Sequence, residues 1–373
     1  MTADSVGGVF SYALELARML SRRNVELLLA TMGPLPSPEQ RASAQSIAGL
    51  TLLERPYQLE WMDDPWQDVS ESGQWLLELE RSFAPELVHL NGYAHAALPF
   101  AAPTLVVGHS CVLSWWQAVK GASAPARYTQ YLERVRAGLC RAHRVVAPSR
   151  AMLSALEQHY GPLPHAEVLY NGCDLSMFRP AGKQPSIVAA GRVWDEAKNL
   201  AALERIAASL AWPVSIAGEQ LAPEARQGPT KPDGAAVQKL GLLSRPELAA
   251  LLGSASIFAA PARYEPFGLS ILEAAAAGCA LVLGDIPSLR ELWRGAALFV
   301  DPASDEALHA GLARLIADEP LRLQLAERAR QRAAEFSSER FAQEYLRLYQ
   351  TLVARGGSAR HPHTDRPSLS LNG

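Results

Sequence analysis

Short apolar segments alternate with segments of helical periodicity along most of the 373 residues, and this alternation restricts the fold more than any other feature. Ten segments are apolar on both faces, as parallel strands covered by helices on two sides are. They lie at 25–31, 87–90, 104–108, 144–149 and 167–172 in the first half, and at 186–191, 213–218, 256–261, 280–285 and 297–302 in the second. The pattern predicts an α/β protein with right-handed crossovers.

The length predicts two domains, because single hydrophobic cores stop growing near about 250–300 residues. The segment RPAGKQP (179–185) is rich in Pro, Gly and Lys and is the best candidate for a linker. Two such α/β halves would face each other across a cleft, and ligands of open α/β sheets bind at the carboxyl ends of the strands. The predicted division is a first domain at 1–176, a second at 177–336, a helix at 337–354 and a disordered tail at 355–373.

The first ten residues, MTADSVGGVF, reach a Gly-Gly turn and a helix almost immediately. At most a stub of a first strand fits ahead of that turn. Either the first strand is short, or the true start lies upstream. A short first strand would reduce the stability of the first domain, and with it the activity.

Net charge, hydropathy and cysteine spacing make several classes of function less favoured for this chain. A formal net charge of −3 gives no global reason to expect a nucleic-acid partner. No apolar run reaches the roughly 18 residues of a membrane span, and no signal-peptide pattern opens the chain, so a cytoplasmic protein is expected. Peripheral contact with the inner face of a membrane stays open. Four cysteines without a CxxC pair indicate buried, reduced thiols rather than a metal site or a disulfide framework.

Residues 262–285 read ARYEPFGLSILEAAAAGCALVLGD, with Glu265 before a Pro-Phe-Gly turn and Glu273 inside the predicted helix that follows. The start of that helix points free backbone N–H groups towards the sheet edge, which favours an anion. Taken singly, Glu265 could be a helix-start charge and Glu273 a solvated helix residue. As a pair in this strand-turn-helix context they are suited to hold hydroxyl groups beside a phosphate.

A second polar stretch, AAGRVWDEAKNL (189–200), follows the first predicted strand of the second half. Arg192 and Lys198 would project from the strand end into the same cleft. Two cations near a helix start suit a diphosphate. The alternative is that they are surface charges paired with Asp195 or Glu196.

GRVWDEAKNL followed by EPFGLSILEAAAAGCALV resembles the family-4-type retaining glycosyltransferases of the GT-B fold, which carry a Glu-x7-Glu motif (glycosyl transferases group 1). The resemblance extends to GGVFSYALELARML (7–20), HS (109–110), VVAPS (145–149) and VLYNGCDLSMFRP (168–180), and covers roughly residues 5–352. It implies two Rossmann-like α/β/α domains facing a central cleft. It also implies a nucleotide-diphosphate sugar as donor.

Site residues follow from the resemblance, position by position. Arg192 and Lys198 match the basic pair that grips the donor diphosphate, and Gly7 and Gly8 match the glycine turn that faces the donor phosphates and the acceptor. The backbone N–H groups that match the turn contacting sugar and phosphate are those of Phe267, Gly268 and Leu269.

Three side chains complete the implied site. Glu265 matches the glutamate that holds hydroxyls of the transferred sugar, and Glu273 the one that holds the ribose. His109 matches a histidine beside the reacting sugar, although without the resemblance a core histidine is the simpler interpretation. His89, at another predicted strand end, could serve the acceptor or only the core.

Tryptophans are concentrated in the first half, in the stretches 59–80 and 111–121. Carbohydrates stack on such rings, so these residues could form an acceptor wall, or they could pack the core or a hinge. The side chains concerned are Trp61, Trp66, Trp115 and Trp116.

The resulting expectation is a retaining, metal-independent glycosyltransferase without a cofactor. Its substrates are a nucleotide sugar and a carbohydrate, lipid or small-molecule acceptor. Arg192, Lys198 and the helix start near Gly268 would stabilise the departing diphosphate in place of a metal. The alternatives are another GT-B reaction, such as sugar-nucleotide epimerisation or glycan phosphorolysis, and a catalytically silent sugar-nucleotide-binding protein.

Overall fold

The structure, a computed structural model, describes residues 1–221 and 236–359. These residues form parallel sheets flanked by helices. The strands are β1 (Thr2–Asp4), β2 (Leu27–Met32), β3 (Leu50–Glu54), β4 (Val88–Leu90), β5 (Thr104–Val107), β6 (Arg144–Ala147), β7 (Ala166–Val168), β8 (Gln184–Ala190), β9 (Val214–Ala217), β10 (Val237–Gly241), β11 (Ala255–Ala260), β12 (Ala280–Gly284) and β13 (Ala297–Val300). The helices are α1 (Gly8–Ser21), α2 (Pro38–Gln45), α3 (Trp66–Phe83), α4 (Val112–Lys120), α5 (Thr129–Arg141), α6 (Arg150–Tyr160), α7 (Leu200–Ile206), α8 (Arg245–Ser254), α9 (Leu269–Ala276), α10 (Pro287–Trp293), α11 (Asp305–Ala317), α12 (Glu319–Ala333) and α13 (Ser338–Ala359).

The first domain contains two parallel sheets, β1-β2-β3 and β4-β5-β6-β7, with β1 and β4 in contact. Side-chain hydrogen bonds join the two sheets where they meet. The backbone N–H of Asn91 donates to Thr2 Oγ1 (3.0 Å), and Asn91 Nδ2 donates to the carbonyl oxygen of Thr2 (2.7 Å). The combined strand order is therefore β3-β2-β1-β4-β5-β6-β7, a doubly wound arrangement.

The second domain is built on one six-stranded parallel sheet in the order β10-β9-β8-β11-β12-β13. Its central strands carry aliphatic side chains towards both layers of helices. Ile257 of β11 pairs in register with Ile187 of β8 and Ala280 of β12, and all three residues are fully buried. Burial on both faces explains why these strands are continuously apolar in sequence.

The last helix, α13, returns to the first domain. The chain crosses back beside Cys173, whose N–H donates to the carbonyl of Phe336 (3.2 Å) and whose carbonyl accepts from Ser338 N–H (3.1 Å). Phe341 and Tyr345 of α13 then pack edge-on against Tyr12 of α1, with ring centroids 5.3 and 6.1 Å apart. The core of the first domain thus includes residues from the carboxyl end of the described chain.

The α/β architecture is confirmed, and each of the ten predicted strand segments overlaps a strand of the structure, the least for 167–172, which shares two residues with β7. Two edge strands, β3 and β10, were not predicted. β10 exposes Gln238 and Lys239, and none of the residues of β3 is fully buried, so neither strand reads as a buried apolar run. The short first strand is present as the three residues of β1, paired parallel with β2.

The segment 179–185, predicted as a linker, packs against the second domain. Ala181 N–H donates to the carbonyl of Gly253 (2.9 Å), and Lys183 Nζ donates to the carbonyls of Leu252 (3.0 Å) and Ala255 (2.7 Å). Strand β8 already begins at Gln184. The lysine therefore holds the carboxyl end of α8 rather than lying in a free connector.

Two smaller expectations are corrected. The final helix continues to Ala359, beyond the predicted start of the tail at 355, and residues 360–373 of that predicted tail lie outside the described residues. Cys140 is exposed, whereas Cys111, Cys173 and Cys279 are buried as expected.

Candidate active site

The Gly7-Gly8 turn places the start of α1 directly against the second domain. Gly7 has φ = 75°, in the left-handed region, and a Cβ at this position would lie 2.7 Å from Arg192 Nη1. A Cβ on Gly8 would be 3.6 Å from Leu269 Cδ1. Only glycine at position 7 allows both this backbone conformation and this approach. The turn therefore meets two of the predicted donor-binding residues across the cleft.

The turn before α9 is fixed from both domains. Ser288 Oγ of α10 donates to the carbonyl of Glu265 (2.6 Å), and Ser149 Oγ, which caps α6 of the first domain, donates to the carbonyl of Pro266 (2.8 Å). The ring of Phe267 is buried and meets Phe336 edge-on at 5.6 Å. Gly268 precedes α9 with φ = 88° and supplies no capping side chain. The first amides of α9 are therefore suited to an anion.

Lys198 and Glu265 form an ion pair within the cleft, between Lys198 Nζ and Glu265 Oε2. Their side chains are 20% and 12% exposed, so the pair is largely shielded from solvent. The predicted phosphate-binding cation and the predicted sugar-binding carboxylate are thus direct neighbours. Glu196, the alternative partner for Lys198, instead pairs with Lys120 of α4 (2.6 Å).

Arg192 forms an ion pair with Asp195 (Nη2 to Oδ2, 2.6 Å). This pairing was the alternative to diphosphate binding that the sequence left open. This pair lies in the cleft, and Asp195 also accepts from Trp115 Nε1 of the first domain (3.1 Å). Burial alone would raise the pKa of Asp195. The charge and hydrogen bond of Arg192, with the hydrogen bonds from Trp115 and the N–H of Ala197, hold this pKa below its ordinary value. Asp195 therefore stays ionised and fixes Arg192 beside the Gly7 turn.

Glu273 of α9 is mostly buried, with 13% of its side chain exposed, and lies near one charged partner in the second domain. Arg245 Nη2 is 3.8 Å from Glu273 Oε1, while Arg245 Nη1 is 3.6 Å from Glu15 Oε2 on α1 of the first domain. Burial raises the pKa of Glu273 to about 7, against the lowering effect of Arg245 and with a further raising effect from Glu15. The predicted ribose-binding carboxylate therefore belongs to an ion cluster that spans the domains.

His109 is held by an amide at the end of a neighbouring strand. Its Nε2 is 2.8 Å from Asn91 Oδ1, and its ring meets that of Tyr12 edge-on at 4.5 Å. Because Asn91 Nδ2 donates to the carbonyl of Thr2, Asn91 Oδ1 must accept, which places the proton of His109 on Nε2. Burial lowers the pKa of His109 to about 3, so the ring is neutral near pH 7.

His89 is a buried structural residue. It is 3% exposed, which keeps it out of reach of an acceptor. Its Nδ1 is 2.6 Å from the hydroxyl of Tyr349 on α13, its Nε2 is 3.2 Å from Asn91 Oδ1, and its ring stacks on Tyr345. Asn91 thus orients two imidazoles, a function that nothing in the sequence around NG at 91–92 indicated.

The four tryptophans lie in three places. Trp115 bridges the domains through Asp195 and packs edge-on against Trp116, and Trp66 faces Arg134 at the surface of the first domain. Trp61 packs in a small apolar cluster with Trp194 of the second domain, on the first-domain side of the cleft. That any of the four predicted acceptor-wall rings contacts an acceptor stays a prediction.

Sequence reasoning missed two carboxylates of the cleft. Asp4 ends β1 directly before the glycine turn, and Glu60 precedes Trp61. Glu60 accepts from the backbone N–H groups of Tyr93 (3.0 Å) and Ala94 (2.8 Å), and burial raises its pKa. The position of Asp4 at a strand end was the available signal.

The fold defines a two-domain GT-B protein, and the cleft between its domains holds the ion pairs of Arg192 with Asp195 and of Lys198 with Glu265. Residues 6–177 match the family described as Glycosyltransferase Family 4, and residues 181–332 match Glycosyl transferases group 1. A glycogen synthase of Mycobacterium tuberculosis is 30% identical over 319 residues, which are 78% of this chain and 74% of that protein. The chain therefore belongs to the group 1 glycosyltransferases of the GT-B fold, a family of hexosyltransferases.

Another relative matches over a shorter stretch. The N,N'-diacetylbacillosaminyl-diphospho-undecaprenol alpha-1,3-N-acetylgalactosaminyltransferase of Campylobacter jejuni is 35% identical over 120 residues, and the match spans 32% of this chain and 31% of that protein.

Solved structures agree with the fold. Sucrose-phosphate synthase from Thermosynechococcus elongatus superimposes with a TM-score of 0.78 at 18% identity, covering 95% of this chain and 96% of that one. The Anabaena protein HepE in complex with UDP and glucose gives a TM-score of 0.73 at 16% identity, covering 94% of this chain and 99% of that one. Within residues 1–221 and 236–359, no helix is long and apolar enough to cross a membrane.

Proposed function

We propose that this protein transfers a sugar, with retention of its anomeric configuration, from a nucleoside-diphosphate sugar to an acceptor hydroxyl, without a metal ion. The observation that carries the proposal is the contact between Lys198 and Glu265 at the mouth of the Pro-Phe-Gly turn. In this proposal Lys198 binds phosphate and Glu265 binds sugar hydroxyls, and their contact at the start of a helix supports both roles.

Departure of the nucleoside diphosphate builds negative charge on the leaving oxygen. Lys198, Arg192 and the first amides of α9 are positioned to stabilise that charge, which is the role that a metal ion has in other transferases. Because Arg192 is fixed by Asp195 and Lys198 by Glu265, these groups need little reorganisation during the reaction. Metal independence follows as part of the proposal.

The remaining groups bind and orient the donor. Glu265 accepts hydrogen bonds from hydroxyls of the transferred sugar, and Glu273 accepts them from the ribose. His109, neutral and with its proton on Nε2, presents an unprotonated Nδ1 that can accept from a sugar hydroxyl. Its role is to orient the sugar, since a ring with so low a pKa does not take up the second proton that a general acid would donate near pH 7.

This proposal defines the chemical class of the acceptor less narrowly than that of the donor. The names of relatives support a glycan or a lipid-linked sugar, since one is a glycogen synthase and another acts on an undecaprenol-linked substrate. The structural neighbour in complex with UDP and glucose supports a nucleotide sugar as donor. Cytoplasmic localisation and peripheral contact with a membrane stay predictions.

A thermal-shift screen against UDP, GDP, ADP and their common sugar conjugates, with and without EDTA, tests the donor site. We expect one base to raise the melting temperature in EDTA, because a ligand that binds only the folded state stabilises it. Release of nucleoside diphosphate that requires an acceptor would support transfer over epimerisation. An absolute requirement for Mg²⁺ or Mn²⁺ would contradict the mechanism, and binding without any turnover would support the silent alternative.

A further inference from the structure

Tyr264 of the second domain, the residue before Glu265, reaches into the first domain. Its ring packs against the buried cluster of the first domain that contains Cys111 and Met152. Its hydroxyl accepts a hydrogen bond from the backbone N–H of Cys111 (3.1 Å) and donates one to Met152 Sδ (3.4 Å). The ring and the hydroxyl of Tyr264 therefore both anchor the segment before Glu265 to the other domain.

The anchoring amide lies close to His109 in the chain. Cys111 follows His109 by two residues and precedes α4, and its Sγ accepts from the N–H of Ser114 in the first turn of that helix (3.5 Å). His109 and Glu265 are the two side chains that contact hydroxyls of the transferred sugar in the proposed function. The hydrogen bond from Cys111 to Tyr264 thus joins the segment that carries one of them to the segment that carries the other.

Helix α4 meets the second domain at two further points. Trp115 Nε1 donates to the buried Asp195 (3.1 Å to Oδ1). Lys120 Nζ is 2.6 Å from Glu196 Oε2 at the surface, where an ion pair contributes little. The contacts of Cys111 and Trp115, at and near the start of α4, therefore do most to align this helix with the donor site.

The hydroxyl of Tyr264 satisfies an amide that has no partner within the helix. The first N–H groups of an α-helix lack intrahelical acceptors, and Cys111 is 2% exposed, so its N–H needs an acceptor from the protein. The next N–H along the chain, that of Val112, donates to the hydroxyl of Tyr131 on α5 of the same domain (3.4 Å). Two tyrosine hydroxyls thus bind adjacent amides of one helix start, one from each domain.

We propose that Tyr264 is a positioning residue for sugar transfer, which fixes the distance between Glu265 and His109 through the hydrogen bond of its hydroxyl to Cys111. The inference rests on the proposed function, because it takes Glu265 and His109 to bind the same sugar. Tyr264 acts through Glu265 and does not itself bind the sugar. Lys198, which binds the diphosphate in the proposed function, belongs to the second domain, so nucleotide binding does not depend on this interdomain bond.

Tyr264→Phe keeps the ring in the first-domain cluster and removes only the hydroxyl. We expect kcat for release of nucleoside diphosphate to fall by about three- to tenfold, as for the loss of one neutral hydrogen bond, and KM for the donor to change by less than about twofold. Loss of alignment slows the turnover of a bound sugar without weakening the binding of the nucleotide. A variant that was only destabilised would not show this separation of kcat from KM.

Saturation-transfer NMR of bound UDP-glucose, ADP-glucose and GDP-mannose adds a readout that needs no acceptor. It measures how closely the hexose and the ribose of one ligand approach the protein. In Tyr264→Phe we expect a weaker hexose signal relative to the ribose signal, because Glu265 no longer lies at its set distance from His109. The Kd values for UDP, ADP and GDP should equal those of the wild type.

Two variants are matched controls. Tyr131→Phe removes a hydroxyl from the adjacent amide of the same helix start, but from within the first domain. Met152→Leu removes the other hydrogen-bond partner of Tyr264 and keeps an apolar side chain of similar size. Both should match the wild type in kcat and in the hexose signal, because the bond to Cys111 is the one that positions Glu265.

The outcomes separate this inference from the proposed function. A wild-type kcat and hexose signal in Tyr264→Phe would overturn the positioning role and leave the donor site intact. The same losses in Tyr131→Phe or Met152→Leu would overturn it as well, because they would show a general effect of packing around α4. Failure of the wild type to bind any of these nucleotides would contradict the proposed donor, and the inference would fail with it.

Discussion

Glu291 of α10 accepts hydrogen bonds from the backbone N–H groups of Arg150 (2.8 Å) and Ala151 (3.0 Å), at the start of α6 in the other domain. A carboxylate from the second domain therefore caps a helix of the first. Tyr170 also donates its hydroxyl to Glu291 (3.0 Å). Together with the bond from Ser149 to Pro266, this cap aligns the first domain with the turn that carries Glu265.

Removing this cap should loosen the contact between the domains. In Glu291→Ala the start of α6 keeps its own cap, Ser149, but loses the charge from the second domain. We expect a loss of about 0.5–2 kcal/mol in the free energy of unfolding, as for other lost caps. We also expect a larger radius of gyration by small-angle scattering and a higher KM for the donor, because closure orders the donor site. Glu133→Ala, on the exposed face of α5, should change none of the three. An unchanged scattering profile would mean that the cap does not hold the domains together.

A double-mutant cycle can separate the contribution of the Lys198–Glu265 ion pair to catalysis from its contribution to stability. Lys198→Met should lower kcat/KM by a factor of about 100 or more, because it removes a group that stabilises the leaving diphosphate. Glu265→Gln should abolish turnover while largely sparing nucleotide binding. Each single variant leaves a largely buried charge unpaired and should lose about 1–3 kcal/mol of stability.

The double variant distinguishes catalysis from folding. Lys198→Met with Glu265→Gln should recover part of the lost stability, since neither charge is left alone. It should stay as inactive as Glu265→Gln. Recovery of activity together with stability would show that the pair is structural, and the proposed donor site would then be wrong.

Much of this site was predictable because its residues follow buried strands. Arg192 comes directly after β8, and Glu265 comes after β11, so their meeting at one sheet edge follows from the topology. The ion-pair partners of the site residues were harder to predict from the sequence. That Lys198 pairs with Glu265 rather than Glu196 depends on how the turn after β8 folds, which spacing alone does not determine.

The first-domain side was harder to predict for a different reason. Asn91, Asp4 and Glu60 act through contacts between segments far apart in the chain, and each is a single polar residue without a repeated spacing. The edge strands β3 and β10 were also not predicted, because an edge strand is half exposed and lacks the apolar run of a central strand.

His109 should not contribute a titration to the pH profile near neutrality. Its pKa is lowered to about 3 by burial, so the ring stays neutral from pH 5 to pH 9. His109→Gln keeps a hydrogen-bonding side chain and should lower kcat through poorer orientation of the sugar. The shape of its kcat/KM profile from pH 5 to pH 9 should match that of the wild type. A wild-type limb with a pKa between 6 and 7 that disappears in His109→Gln would show that this histidine carries a proton during catalysis.

Glu273 should make stability depend on pH. Its pKa is raised to about 7 in the folded protein from an ordinary value of 4.5, so between these values the folded state binds more protons than the unfolded one. The contribution of Glu273 to stability is therefore fully present below pH 4.5 and is lost as the pH rises through 7. The pKa difference corresponds to a loss on the order of 3 kcal/mol between pH 4.5 and pH 8.

Glu273→Gln isolates this effect from that of Asp4, which titrates in the same range. Urea unfolding at pH 5, 6, 7 and 8 should show a flatter pH dependence for the variant than for the wild type, and the variant should be the more stable protein at pH 8. Arg245 keeps Glu15 as its partner in the variant, so no isolated cation is created. Nucleotide binding should nevertheless weaken at pH 8, because the amide is a poorer acceptor for ribose hydroxyls than the carboxylate. Parallel pH curves for the two proteins would show that folding does not raise the pKa of Glu273.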